Sequence, residues 1–312
     1  MKVLISGANG FIGRALCPHL DYLGHSVVAA VRHSSGLNGE YIVGDKLSWM
    51  RALAGCSSVI HLAGRAHVMQ DHELDPLQAY RVANVVTTIE LANRAVEAGV
   101  RRFVFMSTIK VNGEETAPGC RFNPDDLSAP QDPYAISKCE AENGLLEIAR
   151  KTGLEVIIIR PPLVYGPGVR GNFAYLIRWV NKGWPLPLGA IHNRRSMLAL
   201  ENLVSFAALC ADSKASPNAK NQIFLVSDGE DVSTSELLRK VAKAYGRNSY
   251  LLPLPAGGVR FAARLINKEF LADRLLGSLL IDGSKAQEML GWSPPFTMDE
   301  QLKKMALHDS HI

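Results

Sequence analysis

The stretch Gly7-Ala8-Asn9-Gly10-Phe11-Ile12-Gly13 follows a short apolar run, Val3-Leu4-Ile5, and leads into a segment that reads as helix from Phe11 to Leu23. Strand, glycine turn and helix start, in that order, make a dinucleotide site. The turn brings backbone N–H groups against a pyrophosphate, and a Cβ would block that approach. The helix N-terminus then adds its partial positive charge. A glycine repeat alone is a weak signal, because some glycine turns only pack a helix on a sheet. The strand–turn–helix context makes this one stronger. Pro18 falls inside the helix and is expected to kink it or remove one hydrogen bond.

Outward from this turn, apolar runs alternate with helical patterns. Val27–Val31, Val59–Ala63, Phe103–Met106 and Val156–Ile159 are short, β-branched or aromatic, and lack polar alternation, as strands buried on both faces should. Helical stretches separate them: Asp45–Ala54, Pro76–Ala98 and Pro133–Thr152. The repeated βαβ pattern predicts an α/β fold, a Rossmann-like doubly wound parallel sheet. After Gly166-Pro167 the rhythm breaks. Residues 1–166 are expected to form the dinucleotide domain and 167–312 a smaller, mainly substrate-binding lobe, with segments near 193–227 returning to the first. Glu201–Cys210 and Gln222–Val226 carry that return. Phe173–Asn181, Ser233–Tyr245 and Val259–Ile266 read as helices, and the tail from Ala306 is expected to fray.

The chain has 312 residues, 47% of them hydrophobic, enough for a sizeable core. Its net charge of +4 is mild and not gathered in obvious blocks, so no nucleic-acid partner is implied, though an anionic small molecule suits it. Cys17, Cys56, Cys120, Cys139 and Cys210 are odd in number and without a CxxC, as in a reducing, cytoplasmic setting. No signal peptide is expected ahead of the first strand, and no apolar run suits a membrane span, so no membrane partner is expected. His67, Asp71 and His72 do not share a helix face and no further ligand cluster accompanies them, so no metal is expected.

Cofactor choice turns on Val31-Arg32-His33-Ser34-Ser35. No acid stands there to accept from an adenosine ribose, whereas Arg32 with Ser34 or Ser35 suits a 2′-phosphate, which favours NADP over NAD. Arg32 is otherwise a solvated residue or a stacking partner for adenine. Asp45, after the short strand Tyr41–Val43, either reaches the adenine amino group or caps the helix that follows. Leu62, Ala63 and Gly64 end the fourth strand, where small side chains let backbone approach the cofactor. His61 reads as a packed strand residue and Asn84 as a buried polar group bonded to neighbouring backbone.

The chemistry lies further on. Ser107-Thr108 ends a strand, and Asp132-Pro133-Tyr134-Ala135-Ile136-Ser137-Lys138 opens a helix with Asp132 as N-cap and Pro133 in the first position. Tyr134 and Lys138 are four apart and share a face. A nearby ammonium is expected to pull the phenol towards neutrality, so that Tyr134 exchanges a proton with a sugar hydroxyl while hydride moves to or from nicotinamide. Thr108 is expected to hold the same oxygen in line.

These motifs, with Arg160-Pro161-Pro162-Leu163-Val164-Tyr165-Gly166-Pro167, Asp282-Gly283-Ser284-Lys285-Ala286 and Leu290-Gly291-Trp292, make the chain resemble extended short-chain dehydrogenases/reductases of the NAD-dependent epimerase/dehydratase family over nearly its full length. The likeness is to UDP-galactose 4-epimerases and the UDP-hexosamine 4-epimerase/4-ketoreductase branch. It implies that Thr108, Tyr134 and Lys138 are catalytic and that Lys138 also binds the nicotinamide ribose. It extends the cofactor site through Asn9, Phe11 and Ile12 of the opening turn to Pro161. For the substrate it implies Ser107 and Thr108, with Asn172, Arg195 and, more weakly, Arg274 on the diphosphate; Arg194 reads as solvated. Leu163 stands where the family has an Asn.

The family's dehydratases carry a carboxylic acid pair after the catalytic Thr, and Ile109-Lys110 stand there instead. Two reactions remain: reduction of a 4-keto sugar by NAD(P)H, and redox-neutral 4-epimerisation with retained NAD⁺. The missing acid near Val31 favours reduction, and the resemblance points to a UDP-(6-deoxy)-N-acetylhexosamine in surface-polysaccharide synthesis. A non-catalytic dinucleotide sensor or scaffold would not need the phenol, and the paired arginines disfavour an apolar carbonyl substrate. The resemblance also implies a homodimer through the Pro76–Ala98 and Pro133–Thr152 helices.

Overall fold

The computed structural model describes residues 1–66, 73, 75–265 and 269–310. Ten strands occur among the described residues: β1 Lys2–Ser6, β2 Ser26–Val31, β3 Glu40–Ile42, β4 Ser58–His61, β5 Arg102–Met106, β6 Glu155–Arg160, β7 Leu163–Tyr165, β8 Arg195–Ala199, β9 Gln222–Leu225 and β10 Asp231–Val232. Seven of them make one sheet in the order β3-β2-β1-β4-β5-β6-β9. Every pairing within it is parallel, for example Ser6 opposite both Ala30 and His61. Chain order reverses on either side of β1, which places a crevice at the C-terminal ends of β1 and β4.

Helices cover both faces, which is why β4, β5 and β6 are buried along their whole length. Alternate residues of a strand point to opposite faces. Val3 and Ile5 therefore pack with Leu16 and Leu20 of α1 (Phe11–Tyr22) and with Leu203 and Phe206 of the later helix Leu200–Ala211. Leu4, Phe103 and Phe105 pack on the other side with Leu53 of α2 (Lys46–Leu53), Leu91 and Ala95 of α4 (Thr87–Glu97) and Leu145 of α5 (Pro133–Thr152). The short helix α3 (Pro76–Tyr80) precedes α4.

Beyond β7 the chain builds a three-stranded sheet, β10-β8-β7, whose core is shared with α6 (Asn172–Asn181), α8 (Thr234–Ala244) and α12 (Met298–Ser310). Between them lie α7 (Leu200–Ala211), α9 (Ala256–Leu265), α10 (Glu269–Leu276) and α11 (Ser284–Leu290). Gln222–Leu225 does return to the main sheet, beside β6, as the sequence predicts.

Two expectations change. Pro76–Ala98 is not one regular helix: a π-helical turn, Arg81–Val86, separates α3 from α4. The tail does not fray from Ala306, because α12 runs to Ser310 with Met305 buried and the Tyr245 hydroxyl 2.6 Å from Asp309 Oδ2. Pro18 lies exposed inside α1, which continues past it to Tyr22; lacking an N–H, it costs the helix one hydrogen bond, one of the two expected outcomes. His67, Asp71, His72 and Ile266 lie outside the described residues. All five cysteines are free thiols.

Candidate active site

The crevice is lined first by backbone. Gly7 adopts φ +72°, and a Cβ on it would stand 2.7 Å from Ala63 N. A Cβ on Gly13 would stand 2.5 Å from the carbonyl oxygens of both Gly7 and Ala8. Glycine is therefore required twice, once to lay the turn on Ala63 after β4 and once to seat α1 on the turn. Gly10 caps α1 without a side-chain hydrogen bond, so the first N–H groups of the helix stay uncovered by the chain's own side chains. Asn9 and Gly10 are exposed, and Phe11 and Ile12 half-buried, at the same edge.

Gly64 links this cradle to α5. A Cβ there would lie 3.0 Å from Asn84 Oδ1 and 3.5 Å from Lys138 Nζ. Asn84, fully buried in the π-helical turn, accepts from Arg65 N–H at 2.7 Å and donates to Arg65 O at 3.1 Å and Ser137 Oγ at 2.9 Å. One amide thus ties the loop after β4 to the first turn of α5. The extra residue of a π turn is what aims it there.

Helix α5 begins where the sequence predicts. Asp132 caps it through Ala135 N–H at 2.7 Å, and Pro133 follows. Lys110 pairs with that cap and with Glu114. Burial opposes ionisation of Asp132, but Lys110 and the capped N–H hold its carboxyl below the usual range. Lys138 is buried, donates to Met106 O at 2.8 Å and lies 4.4 Å from the Phe105 ring centre. Burial lowers its pKa to about 8. The Tyr134 ring packs 6.0 Å from that of Tyr80, centre to centre.

The phenol itself differs from expectation. Burial raises the Tyr134 pKa, and Asp132 and Tyr80 raise it further. The spacing does put Lys138 one turn away, but the ammonium is held at the Met106 carbonyl and does not acidify the phenol in this state. Thr108, half-buried at the end of β5, accepts from Lys110 N–H at 3.3 Å.

Ser107 is corrected as a substrate contact. It is 3% exposed, and its hydroxyl donates to Glu142. The Glu142 carboxylate also takes Arg160 Nη2 at 2.5 Å, and Arg160 Nη1 reaches Asn112 Oδ1 at 2.9 Å. A buried ion pair needs its remaining lone pairs satisfied, and Ser107 turns inward to do so. His61 is a packed strand residue, as expected: its ring nitrogens lie 2.5 Å from Ser6 Oγ and 2.8 Å from Thr88 Oγ1. Burial lowers its pKa to about 3, with Lys138 adding to the effect.

On the second lobe Arg195 Nη1 donates to Arg274 O at 2.9 Å and Gly277 O at 3.0 Å, so the two predicted arginines do meet. Arg274 also acts electrostatically on Asp132, the cap of α5. Burial, and then Arg274, lower the Arg195 pKa, with Glu115 opposing. Asn172 opens α6, and Arg194 is exposed. Leu163, the departure from the family, is exposed on β7.

The model of the NAD dependent epimerase/dehydratase family matches residues 3–226. The chain belongs to that family. A UDP-glucose 4-epimerase of Vibrio cholerae is 45% identical over 98% of this chain and 94% of its own. The solved structure of MoeE5 in complex with UDP-glucuronic acid and NAD is 27% identical, with a TM-score of 0.77 over 100% of this chain and 99% of that one. UDP-N-acetylglucosamine 4-epimerase from Bacillus cereus shares the fold at a TM-score of 0.79 and 19% identity, over 98% of each chain.

A family dinucleotide fits what is present: Gly7, Gly10 and Gly13 leave a cradle that side chains would fill, and the α1 N-terminus faces it uncapped. At the far end of the cradle the expected 2′-phosphate donors are already engaged. Ser34 Oγ donates to Glu40 Oε2 at 2.8 Å, and Ser35 donates to Glu40 Oε1 from N at 2.6 Å and from Oγ at 2.5 Å. These bonds, Ser35 first, lower the Glu40 pKa to about 2. Glu40 comes from the start of β3, not from the end of β2, where the sequence has no acid. Arg32 is exposed beside this loop. Asp45 caps α2 in a reciprocal box with Ser48, which is the second of its two predicted roles. Pro161 is buried and its carbonyl accepts from Ile109 N–H at 3.0 Å.

Proposed function

We propose that the chain is an NAD-dependent UDP-sugar 4-epimerase. Residues 1–166, with the segments near 193–227, hold the dinucleotide, and 167–312 chiefly hold the nucleotide sugar. NAD, when bound, supplies the hydride acceptor and donor. Tyr134 takes the proton of the sugar 4-hydroxyl as C4 gives up its hydride, and returns that proton to the same oxygen when hydride comes back to the opposite face of the ketone carbon. Thr108 holds that oxygen in line with the phenol. Lys138 reaches from α5 towards Gly64 at the edge of the glycine cradle, where it would hydrogen-bond a ribose and steady a phenolate at Tyr134. Arg195, Arg274 and Asn172 receive the diphosphate, with guanidinium forks suited to paired oxygens.

The observation that carries the choice of epimerase is the carboxylate of Glu40 on Ser34 and Ser35. The sequence favours NADPH-dependent 4-keto reduction because no acid stands beside Val31. Glu40 supplies that negative charge from the next strand, opposes a 2′-phosphate and leaves NAD as the better guest. The Vibrio cholerae relative supports the same reaction. The reading includes a homodimer through α4, α5 and the π-helical turn, where Val82 and Val86, four apart, are exposed.

The test is to purify the protein without added cofactor and release what it carries by acid. Retained NAD⁺, with interconversion of UDP-glucose and UDP-galactose or of their N-acetylhexosamine counterparts and no reductant added, supports the reading. An empty protein that consumes NADPH only with a 4-keto UDP-sugar overturns it in favour of reduction.

A further inference from the structure

Among the described residues, the second lobe exposes an extended apolar face. No residue of α9 is buried. Ala256, Val259 and Ala263 turn towards the lobe's core. Phe261, 65% exposed, and Leu265, 71% exposed, are four apart on another face. The chain enters α9 from Tyr250–Pro255, which runs beside Leu186–Ala190. Leu186 N–H donates to Tyr250 O, and Leu252 N–H to Leu186 O, each at 2.8 Å. Bridges join Leu186 to Leu251 and Ala190 to Pro255. Trp184 (52% exposed), Tyr250 (55%), Leu252 and Leu254 therefore share one neighbourhood with α9.

The charge around this face has one sign in sequence. Neither 156–200 nor 237–268 contains an Asp or Glu. Arg178, Lys182, Arg247, Arg260 and Arg264 lie in these stretches, and Arg247 shares a pocket with Lys303 and Asp309 of α12. Lys182 Nζ sits 4.6 Å from the Trp184 ring centre, and the Arg178 guanidinium 5.1 Å from that of Tyr175. Asp273 of α10 approaches from outside these stretches, 3.5 Å from Arg260 Nε.

We propose that this face docks peripherally on an anionic phospholipid bilayer, with Phe261, Leu265 and Trp184 entering the headgroup layer. Interfacial surfaces combine exposed aliphatic residues, Trp and Tyr at the boundary, and long cationic stems that reach phosphates while covering apolar area. Among the described residues no helix is long and apolar enough to cross a membrane, so the contact is with the surface. The sequence predicts no membrane partner because no apolar run suits a span; a surface contact needs none, and its parts meet only when the fold brings 184–190 beside 250–255. The inference stands whether the enzyme epimerises or reduces.

The test uses the full chain and sedimentation with vesicles of phosphatidylcholine alone or mixed with phosphatidylglycerol. Binding to the mixed vesicles is expected at about 0.15 M salt, weakening as salt rises. Phe261→Ser with Leu265→Ser should weaken it by about tenfold or more. Trp emission should shift to the blue on binding, and Trp184→Phe should remove most of that shift. Turnover of a soluble UDP-sugar should be unchanged in these variants, which shows that they fold. Absence of binding to anionic vesicles overturns the proposal, as does equal binding by the double variant. So does a dimer that the double variant converts to monomer without any vesicle binding, which would assign the face to a second copy.

Discussion

Gly7, Gly10 and Gly13 fall within one short stretch of chain, whereas Arg195 and Arg274 meet across a separation of 79 residues. The first group shapes the cradle through backbone alone; in the second, the fold of the second lobe brings the Arg195 guanidinium to the Arg274 carbonyl, where the proposed function puts the diphosphate. A dinucleotide presents the same pyrophosphate wherever it binds, so one local turn can serve it. A substrate differs in sugar and reach, and contacts to it come from elements whose meeting depends on the whole fold. Substitutions that act on one half and spare the other test this division directly.

The largest effect is expected where the halves converge. Tyr134→Phe should lower kcat by about 10²–10⁴-fold, the usual worth of a positioned proton-transfer group. Bound dinucleotide should be retained, because the Gly7–Gly13 turn is untouched. Loss of the dinucleotide along with activity would show that the phenol belongs to the cradle as well. Next comes the pair Glu142 and Arg160, 2% and 4% exposed in their side chains. Glu142→Gln leaves a buried guanidinium without its counter-charge and should cost about 3–5 kcal/mol of stability. Replacing both partners by apolar residues should recover most of that in a denaturant titration. Equal loss in the single and double variants would mean that the Ser107 bond, not the charge, is what the network supplies.

Legibility follows the same division. Pro133–Thr152 matches its helix to the residue because start and stop are local: Asp132 caps it, Pro133 opens it, and Gly153 ends it at φ +77°. Pro76–Ala98 does not, since the π turn exists to aim Asn84 at Arg65 and at Ser137, 53 residues on. A hydroxyl at a strand end reads as a substrate contact, but Ser107 answers to Glu142, 35 residues away. Tyr134 and Lys138 are correctly spaced, yet burial outweighs the ammonium in setting the phenol, and spacing carries no information on burial. Glu40 lies only five residues past Ser35, but on the next strand, so the acid that holds the loop is not where a ribose-binding acid is expected, at the end of β2. The apolar face of α9 escaped because its halves, 184–190 and 250–255, are far apart in the chain.

Glu40→Gln sharpens the comparison from the cofactor side. The amide removes the negative charge that holds Ser34 and Ser35, leaves them a weaker, neutral partner, and makes Arg32 the dominant charge of the loop. The ratio of NADP⁺ to NAD⁺ affinity, measured by calorimetry on protein stripped of nucleotide, should rise by about tenfold. An unchanged ratio would remove Glu40 from cofactor selection and restore weight to the NADPH-dependent reductase.

The smallest effect concerns how the cradle itself survives acid. His61 is buried between β1 and α4, with its pKa near 3 against 6.5 for the free side chain. Because the folded value is depressed for a group that gains charge on protonation, the unfolded chain binds the extra proton first. Stability from this residue is complete above about pH 6.5 and is lost as pH falls towards 3. By pH 6 the loss should be roughly 1 kcal/mol, growing with each further step down. His61→Gln retains a side chain able to bond Ser6 and Thr88 but cannot titrate. The difference in unfolding free energy between the two proteins should therefore narrow steadily below pH 6.5. A constant difference would mean that the imidazole protonates within the fold, and that the ties from β1 to β4 and α4 at the floor of the cradle do not depend on its neutral form.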